Sequence, residues 1–267
     1  MNRGKDPVDI LLHNRNAWNA QVAKGNRWTV PVTPEEIARA RAGDWQVVLT
    51  PNTPVPQAWF GPLQDCDLLC LASGGGQQAP IFAAAGARVT SFDNSDAQLA
   101  MDRLVADRDG LELRTVQGDM ADLSELPDAS FNLIFHPVSN LFAPNIVPVW
   151  KECYRVLRPG GRLLVGFMNP AYFLFDHFSI EKGGPLEVRY PQPYSDIEQF
   201  DELRRRGDVN DNTPMEFGHT LTDQIGAQLA AGFILTDLFE DDWDSSITPL
   251  NEYMKWFIAT LARKPPV

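Results

Sequence analysis

The sequence predicts an α/β fold: a doubly wound, mostly parallel, Rossmann-like sheet with helices on both faces. Three observations carry this expectation. Between Asp67 and Phe167, strand-like apolar segments alternate with helix-like ones through short connections, as βαβ units do. The apolar run Leu68 to Ala72 leads into Gly74-Gly75-Gly76 just ahead of a helical stretch. Finally, a chain of 267 residues, 44% hydrophobic and 22% charged, can bury a core without disulfides or a structural metal. The length fits one large α/β domain with extensions.

In order, Leu68 to Ala72 is the first strand, and Gln77 to Ala85 is a helix that Gly86 ends. Ala87 to Phe92 is the second strand. The next helix opens on Ser95 and Gln98, an S-x-x-Q capping box, and Ala97, Met101, Leu104 and Val105 share one face before Gly110. Leu111 to Gln117 and Phe131 to Phe135 are strands three and four. Ile146, Val149, Trp150, Cys153 and Leu157 then recur at helical spacing and face a core. Pro159-Gly160-Gly161 turns the chain into a fifth strand, Arg162 to Phe167.

Residues 1–60 form an expected N-terminal helical lid, with one helix near Asn14 to Ala23. A second is opened by Thr33-Pro34-Glu35-Glu36, a capping box with Pro at the first helical position. The main domain spans 61–267, interrupted by a polar, aromatic-rich cap insertion at about 171–218. Thr222 to Ala231 reads as a helix closed by Gly232, with Phe233 to Phe239 and Tyr253 to Leu261 as a terminal pair of strands.

With 23 Lys+Arg against 35 Asp+Glu, the net charge of -12 repels polyanions and argues against a nucleic-acid substrate. The one Arg triplet, Arg204 to Arg206, sits beside Asp201, Glu202 and Asp208 and reads as a solvated mixed-charge face. Cys66, Cys70 and Cys153 make an odd count, two of them in apolar runs, which suggests buried reduced thiols in a cytoplasmic protein and no metal cluster. Met1 to Leu12 lacks a long apolar core, and no run approaches the roughly 18 apolar residues that span a bilayer.

In such a sheet, ligands bind at the carboxyl ends of the strands. After strand one, Ala72-Ser73-Gly74-Gly75-Gly76-Gln77 lets a ligand approach main-chain N–H groups. After strand two, Asp93 suits the hydroxyls of a ribose; its alternative role, capping, is already filled by Ser95. After strand three, Asp119 of Gly118-Asp119-Met120 can accept from an exocyclic amino group, while Met120 offers a polarisable contact to a ring. Asn94 and Gln98 adjoin the same loops. Two cofactors compete for these parts. Gly74-x-Gly76-x-x-Ala79 satisfies the dinucleotide fingerprint, and Asp93 follows Gly74 by the roughly 20 residues an NAD(P)-dependent oxidoreductase requires. That reading gives no reason for Gly118-Asp119-Met120 or for Arg155-Val156-Leu157-Arg158-Pro159-Gly160-Gly161.

Taken together, Leu69 to Gly76, Phe92-Asp93-Asn94-Ser95, Gly118-Asp119-Met120, Phe131-Asn132-Leu133-Ile134 and Arg155 to Gly161 resemble, in order and spacing, the class I S-adenosylmethionine-dependent methyltransferases, close to their small-molecule (type 11) branch. The resemblance covers roughly Asp67 to Phe167. It implies seven strands in the order 3-2-1-4-5-7-6 with the last antiparallel, and S-adenosyl-L-methionine as cofactor. It departs from the family at Cys70, where an acid is usual, and at Ala72, where the first glycine is usual. Another group must then take the methionine ammonium, with Gln77, His136 or the N-terminal region as candidates.

Methyl transfer from a sulfonium is an in-line displacement that gains most from holding donor and acceptor in a water-poor site. His136, at the end of strand four, is the candidate base if the acceptor must lose a proton, with a pocket-shaping role as the alternative; His219, His13 and His177 follow. The loop His136-Pro137-Val138-Ser139-Asn140 lacks the Asn/Asp-Pro-Pro-Tyr/Phe pattern of methyltransferases acting on DNA bases, which with the charge favours a small-molecule acceptor. Trp18, Trp28, Tyr172, Phe173, Phe175, Tyr190 and Tyr194 lie outside the sheet core, where they can wall an acceptor pocket or simply pack. Asn14 and Trp18 share a helical face expected to close over the cofactor. A monomer or homodimer is expected, and a cofactor-binding protein without catalysis is the remaining alternative.

Overall fold

Alternation along the first strand sets the architecture. In β1 (Asp67–Leu71), Leu69 and Leu71 point into the core on one face of the sheet, and Leu68 and Cys70 into the core on the other. Strands buried on both faces read as continuous apolar runs, which is why this one was visible in the sequence. The structure is a computed structural model describing residues 8–243 and 247–266; residues 1–7 of the expected lid lie outside the described residues.

The further strands are β2 (Arg88–Asp93), β3 (Leu113–Gln117), β4 (Phe131–His136), β5 (Leu157–Met168), the short β6 (Tyr194–Ser195) and β7 (Phe217–Gly218), β8 (Ile234–Asp241) and β9 (Phe257–Arg263). Together with β1, six of these form one sheet in the order β3-β2-β1-β4-β5-β9-β8, with β6 and β7 paired separately. β9 runs antiparallel to both neighbours. Counting only the strands of the large sheet, this is the expected order 3-2-1-4-5-7-6.

The helices are α1 (Ile10–Ala23), α2 (Pro34–Arg41), α3 (Gln78–Ala84), α4 (Asp96–Asp109), α5 (Val147–Val156), α6 (His177–Glu181), α7 (Asp196–Arg206) and α8 (Ala227–Ala231). α1 begins at Ile10 rather than near Asn14, because the Asp9 carboxylate accepts the Leu12 N–H at 3.0 Å and caps it. The Thr33–Glu36 capping box of α2 is complete. That of α4 is half made: Ser95 accepts from the Gln98 N–H, but the Gln98 side chain turns to the glycine loop instead. The Pro159-Gly160-Gly161 turn is absorbed into β5 as an irregularity, with Phe131 opposite Leu157 but Leu133 opposite Arg162.

Two packed layers flank the sheet. Val149, Trp150, Cys153 and Val156 of α5 fill one, together with Phe233 beyond α8; Phe82 of α3 and Trp59, Phe60 and Leu63 of the N-terminal region fill the other. A third cluster joins Tyr172, Phe173, Tyr190 and Tyr194 of the insertion to Leu141, Trp256 and Phe257. All three cysteines are buried and unpaired. In the Arg triplet, Arg206 pairs with Asp176 and Arg204 with Asp211. Among the described residues no helix is long and apolar enough to cross a membrane.

Candidate functional site

The glycine loop is held from behind by α4. The Gly75 N–H donates to Gln98 Oε1 at 2.8 Å, and the Gly76 N–H to Asp102 Oδ1 at 2.6 Å. The other Asp102 oxygen accepts the Ser91 hydroxyl at 2.6 Å. Burial raises the Asp102 pKa to about 6 against the pull of these donors. A Cβ on Gly75 would fall 2.3 Å from the Gln98 carbonyl oxygen, so only glycine allows this approach. Ala72 stands in the left-handed region with φ of 47°, a conformation costly for a residue with a Cβ. Asp102 also acts electrostatically on Cys70. Asp102 of α4 thus holds the loop from its far side.

A cavity of about 330 Å³ opens in front of this loop. Of the expected cofactor residues, Asn14, Trp18, Ala72, Ser73, Gly74, Gln77, Asp93, Asn94, Gln98, Asp119 and Met120 all line it. Gly76 and His136 do not. The Gly76 N–H is spent on Asp102, and a Cβ there would fall 2.9 Å from the Pro31 Cβ.

His136 is the larger correction. Its ring is fully buried, with Nδ1 2.8 Å from the Leu71 carbonyl oxygen and the ring edge-on to Trp150. Burial pulls its pKa down to about 4, which makes it a weak base, and it does not line the cavity. The other histidines are no better placed: Nε2 of His13 lies 2.9 Å from Thr213 O and that of His219 3.3 Å from Asn140 O, while His177 stacks on Tyr172. None lines the cavity.

Asp93 keeps one oxygen on the Ser95 N–H at 2.8 Å, and burial raises its pKa to about 7. Asp119 closes an Asx-turn on the Ala121 N–H at 2.9 Å. Gln77 donates its amide to the Arg27 and Val30 carbonyls, which leaves its Oε1 as an acceptor. Gln78 Oε1 is buried with no donor among the described residues. Two acids and two amide oxygens around one cavity suit a ligand rich in hydroxyl and amino donors.

The N-terminal segment completes the wall. Asn14 exchanges two hydrogen bonds with Met215 and donates to Phe142 O at 2.9 Å, so its amide is used in joining α1 to the insertion and to the loop after β4. Asn94 is likewise engaged by Leu11 O and Arg15. Trp18 meets Phe142 edge-on at 5.1 Å. Of the expected aromatic wall, Trp18, Trp28 and Tyr172 face the cavity; Phe173, Tyr190 and Tyr194 are packed in the third cluster, and Phe175 lies against it. Sequence reasoning missed Leu49, Thr50, Glu216 and Trp243, which also line the cavity. Their segments lack periodicity. The one signal was Pro51-Asn52-Thr53-Pro54, a turn whose N–H groups at Asn52 and Thr53 both donate to Asp241 at 2.9 Å.

A sheet of this order, with a glycine loop and two acids opening on one cavity, has the ligand-site layout of an α/β enzyme. Residues 69–165 match the family described as "Methyltransferase domain". Over 96% of its length the chain is 46% identical to the uncharacterized methyltransferase YbaJ of Bacillus subtilis (strain 168), covering 98% of that protein. A shorter stretch, 39% of the chain and 28% of the relative, is 36% identical to the sterol 24-C-methyltransferase erg-4 of Neurospora crassa. An S-adenosylmethionine dependent methyltransferase from Mesorhizobium loti shares the fold at a TM-score of 0.58 and 18% identity, over 78% of this chain and 94% of that one. The chain belongs to the methyltransferase family.

Proposed function

We propose that the protein transfers a methyl group from S-adenosylmethionine to a small-molecule acceptor by in-line displacement. The observation that carries the reading is that one cavity joins the loops after β1, β2 and β3 to an apolar chamber beyond the loop after β4. Asp93 accepts the ribose hydroxyls, Asp119 accepts from the adenine amino group, and Met120 lies against the ring. Gln77 and Gln78 offer their free amide oxygens to the methionine ammonium, and Ser73 and Gly74 line the tail. Bound there, the cofactor supplies a sulfonium-activated methyl. The chain contributes position and the exclusion of water, with residues 8–60 as a lid and 171–218 as a cap.

The net charge of -12 and the ion pairs of Arg204 and Arg206 support a small acceptor over a nucleic acid. Similarity to a sterol methyltransferase points the same way. Buried, unpaired cysteines fit a cytoplasmic protein. The test is release of labelled methyl to a panel of small acceptors. Transfer to at least one, saturable in cofactor, supports the reading; cofactor binding with no transfer across the panel would favour a binding protein without catalysis.

A further inference from the structure

We propose that the acceptor presents a basic amine nitrogen, and that Glu216 binds it as an ammonium and takes its proton. This deepens the reading above and rests on it for the methyl donor. Glu216 immediately precedes β7 and lines the cavity. Its backbone is fixed on both sides, the N–H donating to Asp196 Oδ2 at 2.7 Å and the carbonyl accepting the Asp196 N–H at 3.0 Å. The neighbouring Met215 is held by Asn14, which also holds Phe142 on the loop after β4. Glu216 therefore stands on the β4 side of the cavity. Asp93 and Asp119, following β2 and β3, lie across β1 from it.

Among the described residues, no donor and no Lys or Arg reaches the Glu216 carboxyl. What faces it is of like charge. Burial raises its proton affinity above the ordinary carboxylate range, and Asp196 of α7 and Glu181 of α6 raise it further. The buried Tyr172 hydroxyl feels the same three acids and is held neutral. His13 of α1 acts on Asp196, which also accepts the Tyr194 hydroxyl at 2.6 Å. A part-buried carboxyl that none of the described residues neutralises favours a cation over a neutral or anionic ligand. The rings of Trp18, Phe142, Tyr172 and Trp243 line the same cavity and suit a cation flanked by apolar groups.

The chemistry balances. The ammonium gives one proton to the Glu216 carboxylate. Its nitrogen lone pair then forms the bond to the methyl carbon as that carbon's bond to sulfur breaks, and the electron pair stays on sulfur as a neutral thioether. The methylated ammonium leaves, and Glu216 returns its proton to water. A carboxyl with raised proton affinity is better suited to this exchange than an ordinary one.

The full chain, saturated with S-adenosylhomocysteine, is titrated calorimetrically with benzylamine, benzyl alcohol and benzoate at mildly alkaline pH, where the Glu216 carboxyl, pushed up to about 8, is ionised and benzylamine is still protonated. Benzylamine is expected to bind about tenfold or more tightly than benzyl alcohol, with benzoate weakest. E216Q is expected to abolish the preference while leaving S-adenosylhomocysteine affinity within about twofold, and E181Q to reduce it partly. Equal binding of benzylamine and benzyl alcohol, or a preference that survives in E216Q, overturns the proposal. Should E216Q fail to fold, the wild-type ratio decides by itself. Failure to bind S-adenosylhomocysteine counts instead against the proposed function, and the same three probes then test Glu216 on the unliganded protein.

Discussion

Gly76 and Asp102 are joined by a 2.6 Å hydrogen bond from backbone N–H to buried carboxyl, and this contact fixes the glycine loop from behind. Asp102→Ala leaves the Gly76 N–H and the Ser91 hydroxyl without their acceptor, and is expected to cost about 2–4 kcal/mol in denaturant unfolding and to weaken cofactor binding. Burial raises the Asp102 pKa from 3.8 to about 6, so the folded state binds its proton more tightly than the unfolded chain. Its proton-linked contribution to stability therefore declines as pH rises from about 4 to about 6. An Asp102→Ala protein as stable as wild type would remove this role.

Asp93 ties cofactor affinity to pH. With its pKa raised to about 7, the free protein holds the proton at lower pH, whereas two ribose hydroxyl donors require the carboxylate. S-adenosylhomocysteine affinity is expected to fall as pH drops below about 7, by up to about tenfold per unit, with proton release visible by calorimetry in buffers of different ionisation enthalpy. Asp93→Asn should bind weakly and lose the pH dependence. Flat affinity between pH 5 and 8 would remove Asp93 from the ribose.

His136 is expected to be structural. Its pKa, lowered to about 4 by burial, leaves it neutral through the working range, so it adds no inflection to the pH–rate profile between pH 5 and 8. Stability linked to it is full above about 6.5 and declines as pH falls towards about 4, because the unfolded chain takes the proton first. His136→Asn should keep turnover within about tenfold of wild type, against the 10²–10⁴ that loss of a general base costs. A larger loss, with an intact unfolding midpoint, would reinstate it as a base.

Ala72 predicts a reversal of the usual trend. An alanine at φ of 47° is strained, so Ala72→Gly is expected to leave stability unchanged or raise it by up to about 1 kcal/mol, where alanine to glycine normally costs that much. A loss above about 1 kcal/mol in thermal unfolding would show that the loop carries no strain there.

The parts of the fold written in consecutive residues were legible. Strands β1, β4 and β5 announced themselves as apolar runs, and the loops carrying Asp93 and Asp119 followed from the order of motifs, because local sequence fixes strand ends. Orientation was harder. His136 was expected at the correct strand end, yet its ring turns back to the Leu71 carbonyl, a choice made by packing against Trp150 rather than by spacing. Glu216 and Asn14 were harder still. Met215, beside Glu216, bonds with Asn14 across 201 residues of sequence, and no periodicity marks a contact made only by tertiary closure. Asn14 was placed at the cavity correctly, but as a ligand-facing group; its amide instead joins α1 to the insertion.

The most direct test of the account is titration of the full chain with S-adenosylhomocysteine and, separately, with NADH. The account predicts saturable binding of S-adenosylhomocysteine, weakened by about 1–3 kcal/mol in each of Asp93→Ala and Asp119→Ala, and no competing site for NADH. Tight binding of NADH, with no response to S-adenosylhomocysteine, would contradict it.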